Sequence, residues 1–423
     1  MIFSNKPFTL SLISLAVLTS TATFAQSTQQ SEIEQLRQEI EVLKSMMEQQ
    51  QKNAVVQTKS IETLKTESVK PQPKLNVGKD TTFNFYGNVR LDASYQAEGS
   101  AADRLYNNIN KVPLAGQSEA SDQLKSTLSA TRLGLDIHSQ INDKKVSGKV
   151  EVDFLGGAGL DNLRIRHAYM NYDKWLIGQT WSNFAVPDYM PETIDALGYV
   201  GGAVKRTPQV RYSMSLAPAT GLVLAAEDPK DGLSKMRTPA VTARLNHQLN
   251  DDAKLSLRTM VNEKKTEVDE VVAWGVGLGM QYKLAPSTTL KADYYHVKGD
   301  SSFVSWTNPG ISRNSSGEIL DENEFDSITI GLTQQFNPQW RGTVGFGYMN
   351  QDVTNAYRGG AINLTEINKE LWQGWVNAFY SPIKPISLGL EYVYGERKAV
   401  VSAPNGSNTG EDNRVSAVAI YNF

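Results

Sequence analysis

The chain of 423 residues contains no cysteine. That absence excludes a disulfide framework, a thiolate-held metal and a cysteine nucleophile. No run of about 18 apolar residues occurs, so no helix is long and apolar enough to span a membrane. Histidine is scarce, with four in the whole sequence, and the formal net charge is −3. No basic tail or stripe is present of the kind that neutralises phosphates, so nucleic acid is excluded as a partner. No cofactor or metal site is expected. A β-barrel escapes the hydropathy test, because each strand turns one face to lipid and carries a weak apolar signal.

The N-terminus indicates export. Lys6 supplies a positive region, Phe8 to Leu18 forms a short apolar core, and Thr23-Phe24-Ala25 offers small residues before Gln26. Residues 1–25 read as a secretory signal peptide. No cysteine follows it, which excludes lipoprotein anchoring. Residues 26–70 are almost free of glycine and proline and carry apolar residues on heptads. Ile33, Leu36, Ile40, Leu43 and Met47 alternate between the a and d positions, and Ile61 and Leu64 resume the register after Gln50 and Gln57. Glu32 with Arg37, and Glu39 with Lys44, place opposite charges at g and e. The segment reads as a coiled coil that joins several copies, or as one amphipathic helix lying on another surface. Pro71 and Pro73 end it, and 71–80 reads as an extended linker.

From residue 81 to 423 the period changes to two. FNFYGNVRLDASY puts Phe83, Phe85, Gly87, Val89, Leu91, Ala93 and Tyr95 on one face, and Asn84, Asn88, Arg90, Asp92 and Ser94 on the other. Similar segments recur to the end, sixteen in all. The last, RVSAVAIYNF, brings Val415, Ala417, Ala419, Tyr421 and Phe423 onto one face. Short turns, as at Asp173-Lys174, Ala217-Pro218-Ala219, Asn250-Asp251 and Asn337-Pro338, alternate with longer connections near 96–124, 183–205, 300–323, 352–365 and 399–410. The fold class is all-β, a 16-stranded antiparallel transmembrane β-barrel with an N-terminal periplasmic coiled-coil helix. Tyr86, Tyr169, Trp175, Tyr282, Trp340, Tyr348, Tyr380 and Tyr421 suit the two interfacial aromatic girdles.

A ring of sixteen strands is too wide for side chains to fill, so it encloses water. The connection 183–205 is the candidate constriction loop, with Asp188, Tyr189, Glu192 and Asp195 before paired glycines. Arg90, Arg132, Lys149, Arg164, Arg166, Arg211, Arg244 and Arg258 fall opposite the apolar set of their strands, and Lys205 and Arg206 close the loop. These ten bases are the candidate pore lining. Asp92, Asp136, Glu151 and Asp153 point the same way. A ring of guanidinium groups selects anions; the alternative is a scaffold in which the inward acids hold the bases.

The leader, heptads and proline-containing linker, followed by FYGNVRLD, TRLGLDI, LRIRHAYMNY and GQTWSNF, resemble the DcaP-like trimeric outer-membrane porins of Gram-negative bacteria. The resemblance implies a homotrimer in the cell outer membrane, bordered by lipid and lipopolysaccharide, with its helices in the periplasm. It implies passage of small anionic solutes, dicarboxylic acids especially, and Arg164 and Arg166 match its basic strand most closely. The rival reading, a barrel hydrolase, needs a histidine base at the rim. His138 and His247 lie near short turns and His167 counts as outward. Only His296, near Asp293 and Asp300, reaches the other end. The reading is therefore a porin and not an enzyme, with a non-selective porin tethered through its coiled coil as the alternative.

Overall fold

Backbone alternation builds the wall. The computed structural model describes residues 75–77, 81–99, 105–118, 121–141, 144–157, 161–232, 234–404 and 406–423. The leader and heptad readings lie outside these residues. The wall strands are β1 Thr81–Glu98, β2 in two pieces Gln123–Thr127 and Arg132–Ile141, β3 Lys144–Asp153, β4 Arg164–Tyr172, β5 Trp175–Trp181, β6 Arg206–Ala217, β7 Thr220–Glu227 and β8 Ala240–Gln248. They continue as β9 Ala253–Lys265, β10 Glu270–Ala285, β11 Thr288–Lys298, β12 Glu324–Gln335, β13 Trp340–Asp352, β14 Asn368–Tyr380, β15 Ile386–Ala399 and β16 Thr409–Asn422. Leu75–Val77 adds a short antiparallel pairing to Thr81–Phe83.

Each strand pairs antiparallel with its sequence neighbour, and β16 pairs back onto β1 from Asn88↔Asn422 to Glu98↔Asn413. Gly87 and Phe423 exchange N–H···O bonds of 3.0 and 3.1 Å at the seam. The sixteen-stranded barrel is thereby closed and keeps no free edge among its described strands. On β1, Phe85, Val89, Leu91 and Tyr95 are exposed on the outer face, whereas Asp92 and Ser94 are buried. On β16, Val415, Tyr421 and Phe423 are exposed and Arg414 and Ser416 buried. Trp175, Tyr282, Trp340 and Tyr421 lie exposed near the short-turn end, with Trp340 packed on Tyr380 at 4.8 Å.

β4 breaks the alternation. Glu151 pairs with His167 and Val152 with Ile165, so Arg166 is an inserted residue, a β-bulge. Parity reverses there. Arg164 and Arg166 face the lumen, and so do His167 and Tyr169, while Met170 and Tyr172 are exposed outside. The sequence expectation that His167 and Tyr169 face outward is corrected, because counting by twos does not detect an inserted residue. Gln179, on the outer face of β5, donates to the Ile165 carbonyl at 2.7 Å and also reaches that of Arg166, occupying oxygens the bulge frees. Tyr86 is likewise no girdle residue. It faces inward, donating to Glu151 at 2.9 Å and accepting from Lys149 Nζ at 3.0 Å.

Several long connections turn back into the barrel. Ile109 and Val112 of the first, Phe184, Ala185, Val200 and Ala203 of the third, and Phe303 and Val304 after β11 form one apolar cluster. It packs on Met260, Tyr295, Val297, Phe325, Met349 and Leu371, inner-face residues near the long-loop ends of their strands. Part of the lumen is therefore dry. At two points loop backbone lies directly on wall backbone: a Cβ at Gly347 would strike the Val200 carbonyl, and one at Gly201, whose φ is +84°, would strike the Ile328 carbonyl. Gly347→Val is expected to lift the third loop from the wall, at a cost of about 1–3 kcal/mol for overpacking. The check is the temperature at which the SDS-resistant barrel unfolds on a gel, which should fall. Gly232→Ala, at a site with nothing within 4 Å of the added carbon, should leave it unchanged.

Candidate functional site

The third loop, residues 182–205, starts as a closed base. Ser182 N–H donates to the Lys205 carbonyl at 2.9 Å, and Ser182 Oγ accepts from the N–H groups of Phe184 and Ala185 at 3.0 and 3.1 Å. After the 3₁₀ turn Pro187–Tyr189 the loop crosses to the opposite wall. The Tyr189 ring covers Gly279 of β10 and Pro191 covers Gly331 of β12. Glu192 holds Arg341 of β13 through both carboxylate oxygens at 2.9–3.1 Å. Its carbonyl accepts from Trp375 Nε1 at 3.1 Å and Asn377 Nδ2 at 3.0 Å.

Glu391 of β15 is the main anchor. Its carboxylate accepts from Thr193 Oγ1 at 2.9 Å, Ile194 N–H at 3.0 Å, Tyr199 O–H at 2.6 Å and Asn377 Nδ2 at 2.9 Å. Asp195 accepts from the N–H groups of Asn107 and Leu197 at 2.7 and 2.8 Å, and pairs with Arg414 of β16 at 3.2 Å. The first loop joins through Asn107 Nδ2, which donates to the Gly198 carbonyl and to Gln373, both at 2.9 Å. These contacts attach the loop to β10, β12–β16 and β1. On the β2–β8 side the loop is held near its base, where Asn183 N–H donates to Glu227 of β7 at 2.8 Å and Asn183 Nδ2 to the Val223 carbonyl at 3.0 Å, and Asp188 makes a looser contact with Arg244 of β8; most of the candidate bases lie on this side.

The bases divide into two groups. Five are held by acids. Arg90 binds Asp92 at 2.6 Å and the Ile194 carbonyl at 2.5 Å. Lys149 pairs with Asp136 at 3.1 Å. Arg164 pairs with Asp153 at 2.6 Å, and Arg166 with Glu151 and Asp153 at 2.5 and 2.9 Å. Arg258 binds Asp293, donates to Tyr295 Oη at 2.6 Å, and its side chain is 0% exposed. Arg258 is thus enclosed and lines no open surface, because Phe184 and Tyr189 of the loop cover it; parity alone does not show what a loop will cover.

The second group is nearly free. Arg132, Lys205, Arg206 and Arg211 make no ion pair among the described residues, and Arg244 makes one loose contact, 3.6 Å from Asp188. Arg206 sits over the Trp181 ring, its Cζ 3.8 Å from the centroid. Arg211 donates to Gln209 Oε1 at 2.9 Å and to the Trp181 carbonyl at 2.6 Å. The Nε atoms of Arg132, Arg206 and Arg244 have no hydrogen-bond partner. Arg206 is within electrostatic reach of Arg132, Arg164 and Arg166, and Arg211 of Arg244, so like charges line one side of the lumen. Burial pushes the Lys205 ammonium below the ordinary lysine value, against the pull of Asp300 and Asp231.

Sequence reasoning missed Lys291 of β11, half-buried and inward, and the anchors Arg341, Glu391 and Arg414. Lys291 was detectable, because TLKADYYH places it opposite Leu290 and Tyr294. His296 sits beside Asp326 at 3.0 Å and against Trp274 on the outer face, while Asp293 points inward to Arg258, so no hydrolase constellation forms. Among the described residues no group of three or more potential ligands is placed to hold a metal.

The profile of the DcaP outer membrane protein family matches residues 14–423. The chain belongs to the DcaP family of outer-membrane porins. The crystal structure of the outer membrane channel DcaP of Acinetobacter baumannii is similar, with a TM-score of 0.75 and 34% identity, over 83% of this chain and 99% of that one. OmpT of Vibrio cholerae (TM-score 0.55, 14% identity, 83% of this chain and 99% of that one) and an anion-selective porin from Comamonas acidovorans (TM-score 0.53, 11% identity, 81% and 100%) share the fold. No curated protein sequence matches the chain. As a DcaP-family porin the protein is a transport channel of the outer membrane, not an enzyme, and its arginine-rich, salt-bridged pore is consistent with conduction of anions. Glu391→Ala leaves four donors of loop and wall without their acceptor, at about 1–3 kcal/mol for each buried group left unpaired. The single-channel conductance of that variant should be higher and noisier than that of the wild type, with Glu391→Gln in between.

Proposed function

We propose that this DcaP-family porin lets small, preferentially anionic solutes such as dicarboxylic acids diffuse passively through a water-filled pore, narrowed by the third loop with Asp188, Tyr189, Glu192 and Asp195. The observation that carries the reading is the set of arginines without a committed acid, Arg132, Arg206, Arg211 and Arg244, on β2, β6 and β8, away from the Glu192 and Glu391 anchors of the loop. A guanidinium group meets a carboxylate through two parallel N–H···O bonds and keeps its charge at any physiological pH. Arg164 and Arg166, bound to Glu151 and Asp153, add to the field and act mainly as scaffold. In a salt gradient across a planar bilayer, the purified protein should show stepwise conductance and a reversal potential biased toward the anion. Arg132→Ser with Arg206→Ser should move the permeability ratio toward unity and weaken block by a dicarboxylate; unchanged selectivity would sink this assignment.

The reading extends to assembly. Residues 1–25 form the leader, 26–70 a periplasmic coiled coil, 71–80 the linker and 81–423 the pore, in a homotrimer surrounded by lipid and lipopolysaccharide. The heptads and the family resemblance support it. Deleting 27–70 should leave the conductance of each barrel intact while lowering the temperature at which the oligomer dissociates on native gels; an unaltered oligomer would remove the coiled coil from assembly.

A further inference from the structure

Two of the three acids in the third loop are committed. Glu192 is held by Arg341 in a bidentate pair, and Asp195 is enclosed with Arg414. Asp188 differs. It sits in the turn Pro187–Tyr189 with its side chain 61% exposed, and its Oδ2 lies 3.6 Å from Nη1 of Arg244, which is 14% exposed. One long contact replaces the two short bonds that a guanidinium–carboxylate fork makes. Arg244 leaves its Nε unpartnered. Arg211 and Lys291 also lie within electrostatic reach of Asp188, and neither makes an ion pair among the described residues. A carboxylate of the protein therefore stands, weakly held and mostly exposed, beside Arg244 and within the field of two further wall cations.

We infer that Asp188 is a built-in competitor for the carboxylate of the solute. It occupies Arg244 while the channel is empty. An arriving carboxylate takes the fork of Arg244, and Asp188 moves aside into water. When the solute moves on, Asp188 returns and prevents its recapture. Conduction needs binding strong enough to admit a solute and weak enough to release it, and an internal carboxylate sets that balance. The exchange costs little, because one half-exposed ion pair replaces another. A neutral solute has nothing to offer Arg244 and leaves Asp188 in place. Asp188 thus acts as a specificity-determining residue. The inference rests on the anion-pore reading and adds a role that the net charge of the wall does not supply.

The test uses the full-length protein in planar bilayers, with succinate as the blocking probe. Absence of any block in the wild-type channel would overturn the anion-pore reading itself. Given block, Asp188→Asn should tighten it by roughly two- to five-fold, the range an ion pair of this exposure is worth, chiefly by lengthening the blocked events. Asp188→Glu should block like the wild type. In an Arg244→Ser background, Asp188→Asn should lose most of its effect. A dissociation constant that Asp188→Asn leaves unchanged overturns the inference. So does tightening that persists in full without Arg244, since Asp188 would then act only as a diffuse negative charge.

Discussion

Lipid offers no hydrogen bonds, so every backbone N–H and C=O of a wall strand must find its partner in another strand. The rest of the structure depends on that constraint. It forces β16 back onto β1, with Gly87 and Phe423 exchanging bonds at the seam. The number of strands then sets the width, because sixteen tilted strands leave a lumen that inward side chains alone do not fill. A wide ring passes solutes without discrimination unless something is laid inside it. The protein meets this need with loops, whose own polar groups must then be satisfied by the wall.

That second requirement explains how the inward residues are divided. Glu391, Asn377, Trp375, Arg341 and Arg414 satisfy the backbone and the acids of the third loop, while glycines on β10, β12 and β13 give it room to lie close. Asp92, Asp136, Glu151, Asp153 and Asp293 hold a second set of bases in place. What remains without a committed partner lies mainly on β2, β6 and β8, away from the Glu192 and Glu391 anchors of the loop. The paired groups give the pore its shape, and the unpaired ones present charge to whatever passes. Both the anion-pore reading and the role given to Asp188 depend on this division.

Much of the fold was legible from elementary periodicity. The alternation in FNFYGNVRLDASY, recurring in sixteen segments joined alternately by short turns and longer connections, is enough to call a barrel and to say which face of most strands meets water. The inward direction of Arg90, Arg132, Arg211 and Arg244, and of Asp92, Asp136, Glu151 and Asp153, followed from the same count. The count failed where the backbone departed from it. The bulge at Arg166 turned His167 and Tyr169 into the lumen, and an inserted residue of this kind carries no compositional sign.

Local sequence thus determined the strands, the two faces of most of them and the sign of charge on the inner surface, because a period of two is a property of neighbouring residues. Only the tertiary structure decided which of those charges are free. Arg258 and Arg244 read alike in sequence, each opposite the apolar face of its strand. One is enclosed with Asp293 beneath Phe184 and Tyr189, and the other faces the lumen beside Asp188. The difference is made by a loop that starts many residues away and crosses the barrel. Pairing between such distant segments depends on where the loop comes to rest, which no local pattern encodes.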